Sequence, residues 1–100
     1  MLHTINKSPF ERNSLDSCLR LSVKGSPILL IEDGVLAATK GTSVSDKVAA
    51  AMNDHPMFVM GPDLQARGIS GDSVADGITV VDYGGFVDLV VENGPVQSWL

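Results

Sequence analysis

The run Pro27-Ile28-Leu29-Leu30-Ile31 constrains the fold of this chain more than any other feature. A strand with one wet face alternates apolar and polar residues. This run is apolar at consecutive positions, which predicts a strand covered on both faces, as in a parallel sheet. Shorter apolar runs flank it. Leu2-His3-Thr4-Ile5 reads as a first strand, Met57-Phe58-Val59-Met60 as a third and Ile78-Thr79-Val80-Val81 as a fourth.

Helical segments fall between these runs. Ser14–Val23 places Leu15, Cys18, Leu19 and Val23 on one stripe, with Asn13 or Ser14 as its cap and Gly25 past its end. Residues 44–52 read as a second helix, Asp63–Arg67 as a single turn stopped by Gly68, and Phe86–Glu92 as the last helix. Val35-Leu36-Ala37-Ala38 reads as a small turn, Gly61-Pro62 as the close of the third strand, and Trp99 as part of a tail. Strands alternating with helices predict a three-layer α/β/α domain with a mostly parallel sheet. With 100 residues the chain holds a single domain, 1–100. Strand order is not readable from the pattern.

Charge narrows the function classes. Seven Lys and Arg stand against twelve Asp and Glu, a net charge of −5. Without a basic stripe there is no means of neutralising phosphates, so direct nucleic-acid binding and an anionic membrane surface are not expected. No apolar run approaches the roughly 18–20 residues of a membrane helix, and residues 1–12 hold no apolar signal segment, which predicts the cytoplasm.

Ligand sites in parallel sheets lie beyond the carboxyl ends of the strands. Asn6-Lys7-Ser8, Glu32-Asp33-Gly34, Gly61-Pro62-Asp63 and Asp82-Tyr83-Gly84-Gly85 would meet there. Glu32, Asp33, Asp63 and Asp82 beside Lys7 could hold Mg²⁺ and accept a phosphoryl group, as in receiver domains. Asp and Gly are common turn and capping residues, which is the favoured reading here, and the spacing of the acids does not match a receiver. Neither GxGxxG nor GxxxxGK[ST] is present, and Gly68-Ile69-Ser70-Gly71 reads as a turn, so no nucleotide or other cofactor is expected. His3 in a strand and His55 before Pro56 read as hydrogen-bonded structural histidines, with no metal site expected. No GxSxG supports a Ser/His/Asp triad.

Cys18 is the only thiol, which excludes an internal disulfide and a multi-cysteine zinc site. A thiolate can carry sulfane sulfur as a persulfide if it is exposed and its pKa is lowered. Arg20, two positions on, points to another face of the helix, and Cys18 shares the apolar stripe of Leu15, which favours a buried structural residue.

Four segments together resemble the TusB/DsrH family of sulfur-relay proteins. They are Leu2-His3-Thr4-Ile5-Asn6-Lys7-Ser8-Pro9-Phe10, Leu29-Leu30-Ile31-Glu32-Asp33-Gly34-Val35-Leu36-Ala37-Ala38, Asp63-Leu64-Gln65-Ala66-Arg67-Gly68 and Val81-Asp82-Tyr83-Gly84-Gly85-Phe86-Val87. They keep the family's order along nearly the whole chain, and segment 41–56 is the least recognisable. The resemblance implies a DsrE-like fold. It also implies a heterohexamer of two copies each of this subunit, a TusC/DsrF-like sister and a TusD/DsrE-like sister, which passes persulfide sulfur between TusA-like and TusE/DsrC-like carriers.

By the same resemblance the main persulfide cysteine sits on the TusD/DsrE-like sister, and Cys18 is at most an auxiliary persulfide site. Cys18 and the segment Asn6-Lys7-Ser8-Pro9-Phe10-Glu11-Arg12 look DsrH-like, which implies sulfur oxidation with a DsrC-type acceptor. The alternatives are a TusB-type subunit serving tRNA 2-thiouridine, or an architectural subunit with no sulfur site. Met52, Met57, Phe58, Met60 and Trp99 are candidates for a subunit interface, with core packing as the alternative for the strand residues among them.

Overall fold

The computed structural model describes residues 1–100. Five strands, β1 (Leu2–Ile5), β2 (Ile28–Leu30), β3 (Met57–Met60), β4 (Thr79–Val81) and β5 (Val96–Trp99), form one sheet in the order β4-β3-β2-β1-β5. Every neighbouring pair is parallel. The helices are α1 (Ser14–Leu21), α2 (Ser45–Ala51), α3 (Gly61–Ala66) and α4 (Tyr83–Asn93), with 3₁₀ turns at Glu32–Ala38 and Gly71–Ser73.

The topology dictates how the sheet is covered. Connections between parallel strands are right-handed. From β1 to β4 the chain steps three times in one direction, so α1, α2 and α3 fall on one face. The return from β4 to β5 crosses the other face and carries α4 alone. The buried clusters follow this division. The larger packs Ile5, Ile28, Leu30, Met57 and Val59 against Leu15, Cys18, Val48 and Leu64. The smaller packs Leu2, Leu29 and Met60 against Leu89, with Phe58, Val81, Phe86 and Val90 at its edge. β2 is fully buried on both sides, as its unbroken apolar run predicts.

Several boundaries differ from the sequence expectations. Residues 96–99 are no tail but the fifth strand, paired to β1 from Leu2–Val96 to Ile5–Trp99. The run Val-Gln-Ser-Trp has one apolar residue at each end, and register with β1 makes it a strand. Gly61-Pro62 begins α3, because proline suits the first turn of a helix, where its missing N–H is not needed. α4 starts three residues earlier than expected because Asp82 caps it, its carboxylate accepting from Gly85 N–H at 2.8 Å. α1 ends at Leu21, leaving Val23 76% exposed. The turn expected at Val35–Ala38 belongs to a 3₁₀ helix that opens at Glu32 and runs to Ala38. Its Gly34 lies so close to β1 that a Cβ would overlap the Ile5 carbonyl oxygen.

Met57 and Met60 are core residues and not interface residues. The exposed large apolar side chains are others, among them Tyr83, Val87 and Val91 on α4.

Candidate functional site

The thiol of Cys18 faces the sheet from the middle of α1 and is fully buried. Leaving water disfavours the thiolate, and this burial pushes its pKa up to about 11, a hydrogen bond with Ser22 offsetting part of the rise. Reactive cysteines need the opposite environment. Next to it Ser22 Oγ lies 3.3 Å from Nε2 of the buried His55, whose Nδ1 lies 2.8 Å from the Ser26 carbonyl. A carbonyl only accepts, so Nδ1 carries a proton and donates to Ser26. His55 thus ties the end of α1 to the approach to β2.

His3 sits elsewhere. Its Nδ1 accepts from Trp99 Nε1–H at 3.1 Å, and its pKa is held below the ordinary histidine range, first by burial and then by the nearby charges of His55 and the N-terminus. The two histidines therefore hold separate structural positions.

The carboxyl ends of the strands bring the expected acids near one another, and the fold has given each a local partner. Asp33 accepts from Arg67 Nε and Nη2 at 3.0 and 2.9 Å. Asp63 accepts from Glu32 N–H at 2.8 Å, supporting the unusual positive φ of 50° at Glu32. Asp82 caps α4. Lys7 makes no ion pair with any of them. No three His, Cys, Asp or Glu side chains converge on a point a cation could occupy. The receiver-like constellation is therefore not assembled. A cavity of about 240 Å³ does open beside it, lined by Ile31, Glu32, Met60, Asp63, Tyr83 and Phe86. Sequence reasoning placed its two acids and Tyr83 at this end of the sheet but not Phe86, whose place depends on how α4 crosses the sheet.

No helix is long and apolar enough to cross a membrane. Fold and side chains define a small parallel α/β domain whose only thiol is buried and whose crevice acids are held in structural roles.

Comparison with known proteins places the chain among its relatives. A family described as DsrH-like protein matches residues 7–96. The chain is 33% identical over 99 residues to Protein TusB of Pectobacterium parmentieri and 37% identical over 99 residues to Protein TusB of Erwinia tasmaniensis. Each match covers 99% of this chain and 100% of the relative. It is similar in fold to the ychN protein of E. coli, with a TM-score of 0.79 at 17% identity over 97% of both chains. A protein of unknown function from Methanobacterium thermoautotrophicum gives a TM-score of 0.72 at 19% identity over 97% of this chain and 95% of that one. The chain belongs to the TusB/DsrH family of sulfur-relay proteins.

Proposed function

We propose that this chain is a TusB-type subunit of a cytoplasmic sulfur-relay assembly supplying sulfur for 2-thiouridine in tRNA, and that its part in the relay is architectural. The full-length match to proteins named TusB carries this reading. The sulfur-oxidation branch, expected from Cys18 and the segment Asn6–Arg12, has the weaker support, because those relatives carry the other name.

The architectural role rests on the thiol. Sulfane transfer begins when a thiolate attacks the outer sulfur of a donor persulfide. A new persulfide forms and the donor thiolate leaves. Cys18 is neither open to a donor nor readily ionised. The attacking cysteine then belongs to a TusD/DsrE-like sister, with a TusC/DsrF-like sister completing the assembly and TusA-like and TusE/DsrC-like carriers docking on it. An auxiliary persulfide on Cys18 is the competing reading, and it requires α1 to lift from the sheet.

Native mass spectrometry of the chain co-expressed with its genomic neighbours tests the assembly; the expected species is a hexamer of two copies each of three subunits. The wild type and Cys18→Ala should then both restore 2-thiouridine in tRNA from a strain lacking its own TusB. If Cys18→Ala assembles but does not restore it, and the wild-type subunit gains the mass of one sulfur atom, Cys18 is the sulfur site. Normal thiolation without the subunit would remove the proposed role altogether.

A further inference from the structure

Topology leaves α4 as the sole cover of one sheet face, and α4 is more apolar than that duty requires. Phe86, Leu89 and Val90 turn toward the sheet. Tyr83, Val87 and Val91 recur at i, i+4 and i+8 and are 65%, 56% and 77% exposed. A helix lying on one core needs an apolar arc of about 100°. At about 100° per residue, the arc from Leu89 round to Val91 spans roughly twice that. Such a contiguous exposed stripe marks an interaction surface.

The charge around the stripe selects its occupant. α4 carries Asp88 and Glu92 and no Lys, Arg or His. Neither acid is ion-paired, so both carboxylates beside the stripe are open to a cation from outside the chain. Glu32 and Asp63, likewise without a cation, line the cavity that Tyr83 shares at the start of the helix. A second copy of this chain packed helix to helix would bring these unpaired carboxylates together. We infer that the Tyr83–Val87–Val91 stripe docks a different protein chain, one that presents apolar side chains bordered by Lys or Arg. The border cations meet Asp88 and Glu92, and the apolar residues cover the two valines.

This inference rests on the relay reading for its probe, the two sister subunits encoded beside this chain. The full-length chain is co-expressed with both, recovered through a tag on a sister, and weighed intact. Val87→Lys with Val91→Lys should lower recovery of the complex by about ten-fold or more, since the loss of two covered side chains and the added like charge exceed one decade of affinity. Both valines face solvent, so an unchanged thermal melt of the variant alone verifies its fold.

Leu21→Lys with Val23→Lys makes an equally drastic change at exposed sites on the opposite side of the sheet, and should assemble as the wild type does. Asp88→Lys with Glu92→Lys should weaken assembly, and added salt should weaken the wild type. If the wild type assembles and Val87→Lys with Val91→Lys assembles equally well, this inference falls and the relay reading stands. If the wild type joins neither sister, the relay reading falls and takes this inference with it. A wild-type homodimer that the valine substitutions dissolve would overturn the choice of occupant.

Discussion

The indole N–H of Trp99 donates to Nδ1 of His3 across 3.1 Å, joining side chains ninety-six positions apart in the sequence. The two rings are tilted by 44° with centroids 6.0 Å apart. β5 is an edge strand with β1 as its only neighbour, so this bond supplements a ladder held from one side. Because Nδ1 is the acceptor, neutral His3 carries its proton on Nε2.

Trp99→Phe keeps an aromatic body against the core and removes the donor. His3 is only 5% exposed, so water cannot readily replace the lost partner. The variant should lose about 1–3 kcal/mol, the cost of a buried group left unsatisfied. Urea unfolding followed by far-UV circular dichroism measures it. An unchanged midpoint would mean that the ladder alone holds β5.

The same pair makes stability depend on pH. His3 titrates below its ordinary value in the folded chain, with burial the largest cause and the charges of His55 and the N-terminus following. Between the folded value and about 6.5 the unfolded chain binds more protons, so acid favours unfolding. Stability is therefore full above about pH 6.5 and declines as pH falls toward the folded value. Urea midpoints at about pH 7.5 and 5.5 should differ in that direction, in a window above most carboxylate titrations. His3→Asn retains a short acceptor for Trp99 and does not titrate, so its difference should be smaller. An equal slope in the variant would assign the effect to other groups.

Sequence patterning revealed the parts of the fold in which local and tertiary preferences agree. Ile28-Leu29-Leu30 announces a doubly covered strand by itself, and the stripe of Leu15, Cys18 and Leu19 announces a buried helix face. Val96-Gln97-Ser98-Trp99 announces nothing, because its strand state comes from pairing with Leu2–Ile5 at the far end of the chain. Gly61-Pro62 reads from the sequence as the close of β3 but opens α3, because proline ends a strand as readily as it starts a helix. In the crevice, the sequence located Glu32, Asp33, Asp63 and Asp82 at one end of the sheet. It could not reveal that Arg67 takes Asp33 or that Glu32 N–H takes Asp63, since those are decided by side-chain positions in three dimensions. The exposed stripe on α4 is not legible from the sequence, whose pattern starts the last helix at Phe86 and leaves Tyr83 outside it.

Burial of Cys18 has a direct chemical consequence. Its pKa rises from 9.0 to about 11, which alone lowers the thiolate fraction at neutral pH about a hundred-fold. Shielding by α1 adds to this. Maleimide labelling of the folded subunit should therefore run at least about a hundred-fold slower than in urea and should quicken only as the chain opens. The raised value also has a sign in stability. From about pH 9 toward 11 the unfolded thiol ionises first, so stability falls with rising pH, and Cys18→Ala should soften that fall. Labelling of the native protein at the unfolded rate would return Cys18 to consideration as a sulfur carrier.

Gly34 offers the sharpest test of how the crevice is built. The 3₁₀ turn after β2 passes close against the end of β1, where Ile31 N–H donates to the Ile5 carbonyl at 3.0 Å. Gly34 itself is buried, and a Cβ there would overlap the same carbonyl oxygen, a backbone atom with no freedom to rotate away. Gly34→Ala must therefore push the turn off β1 or distort the strand, costing on the order of 3 kcal/mol. Gly71 has open space around it and no positive φ, so Gly71→Ala adds the same methyl group without a clash. It should leave stability within about 0.5 kcal/mol of the wild type. Displacing the turn also moves Glu32 and Asp33, so Gly34→Ala should weaken the Arg67–Asp33 pair and disturb the cavity at the start of α4. Parallel urea titrations measure the stability difference, and amide hydrogen exchange over Glu32–Ala38 follows the turn. Equal stability of the two variants would mean that the turn can stand further from β1 than the structure places it.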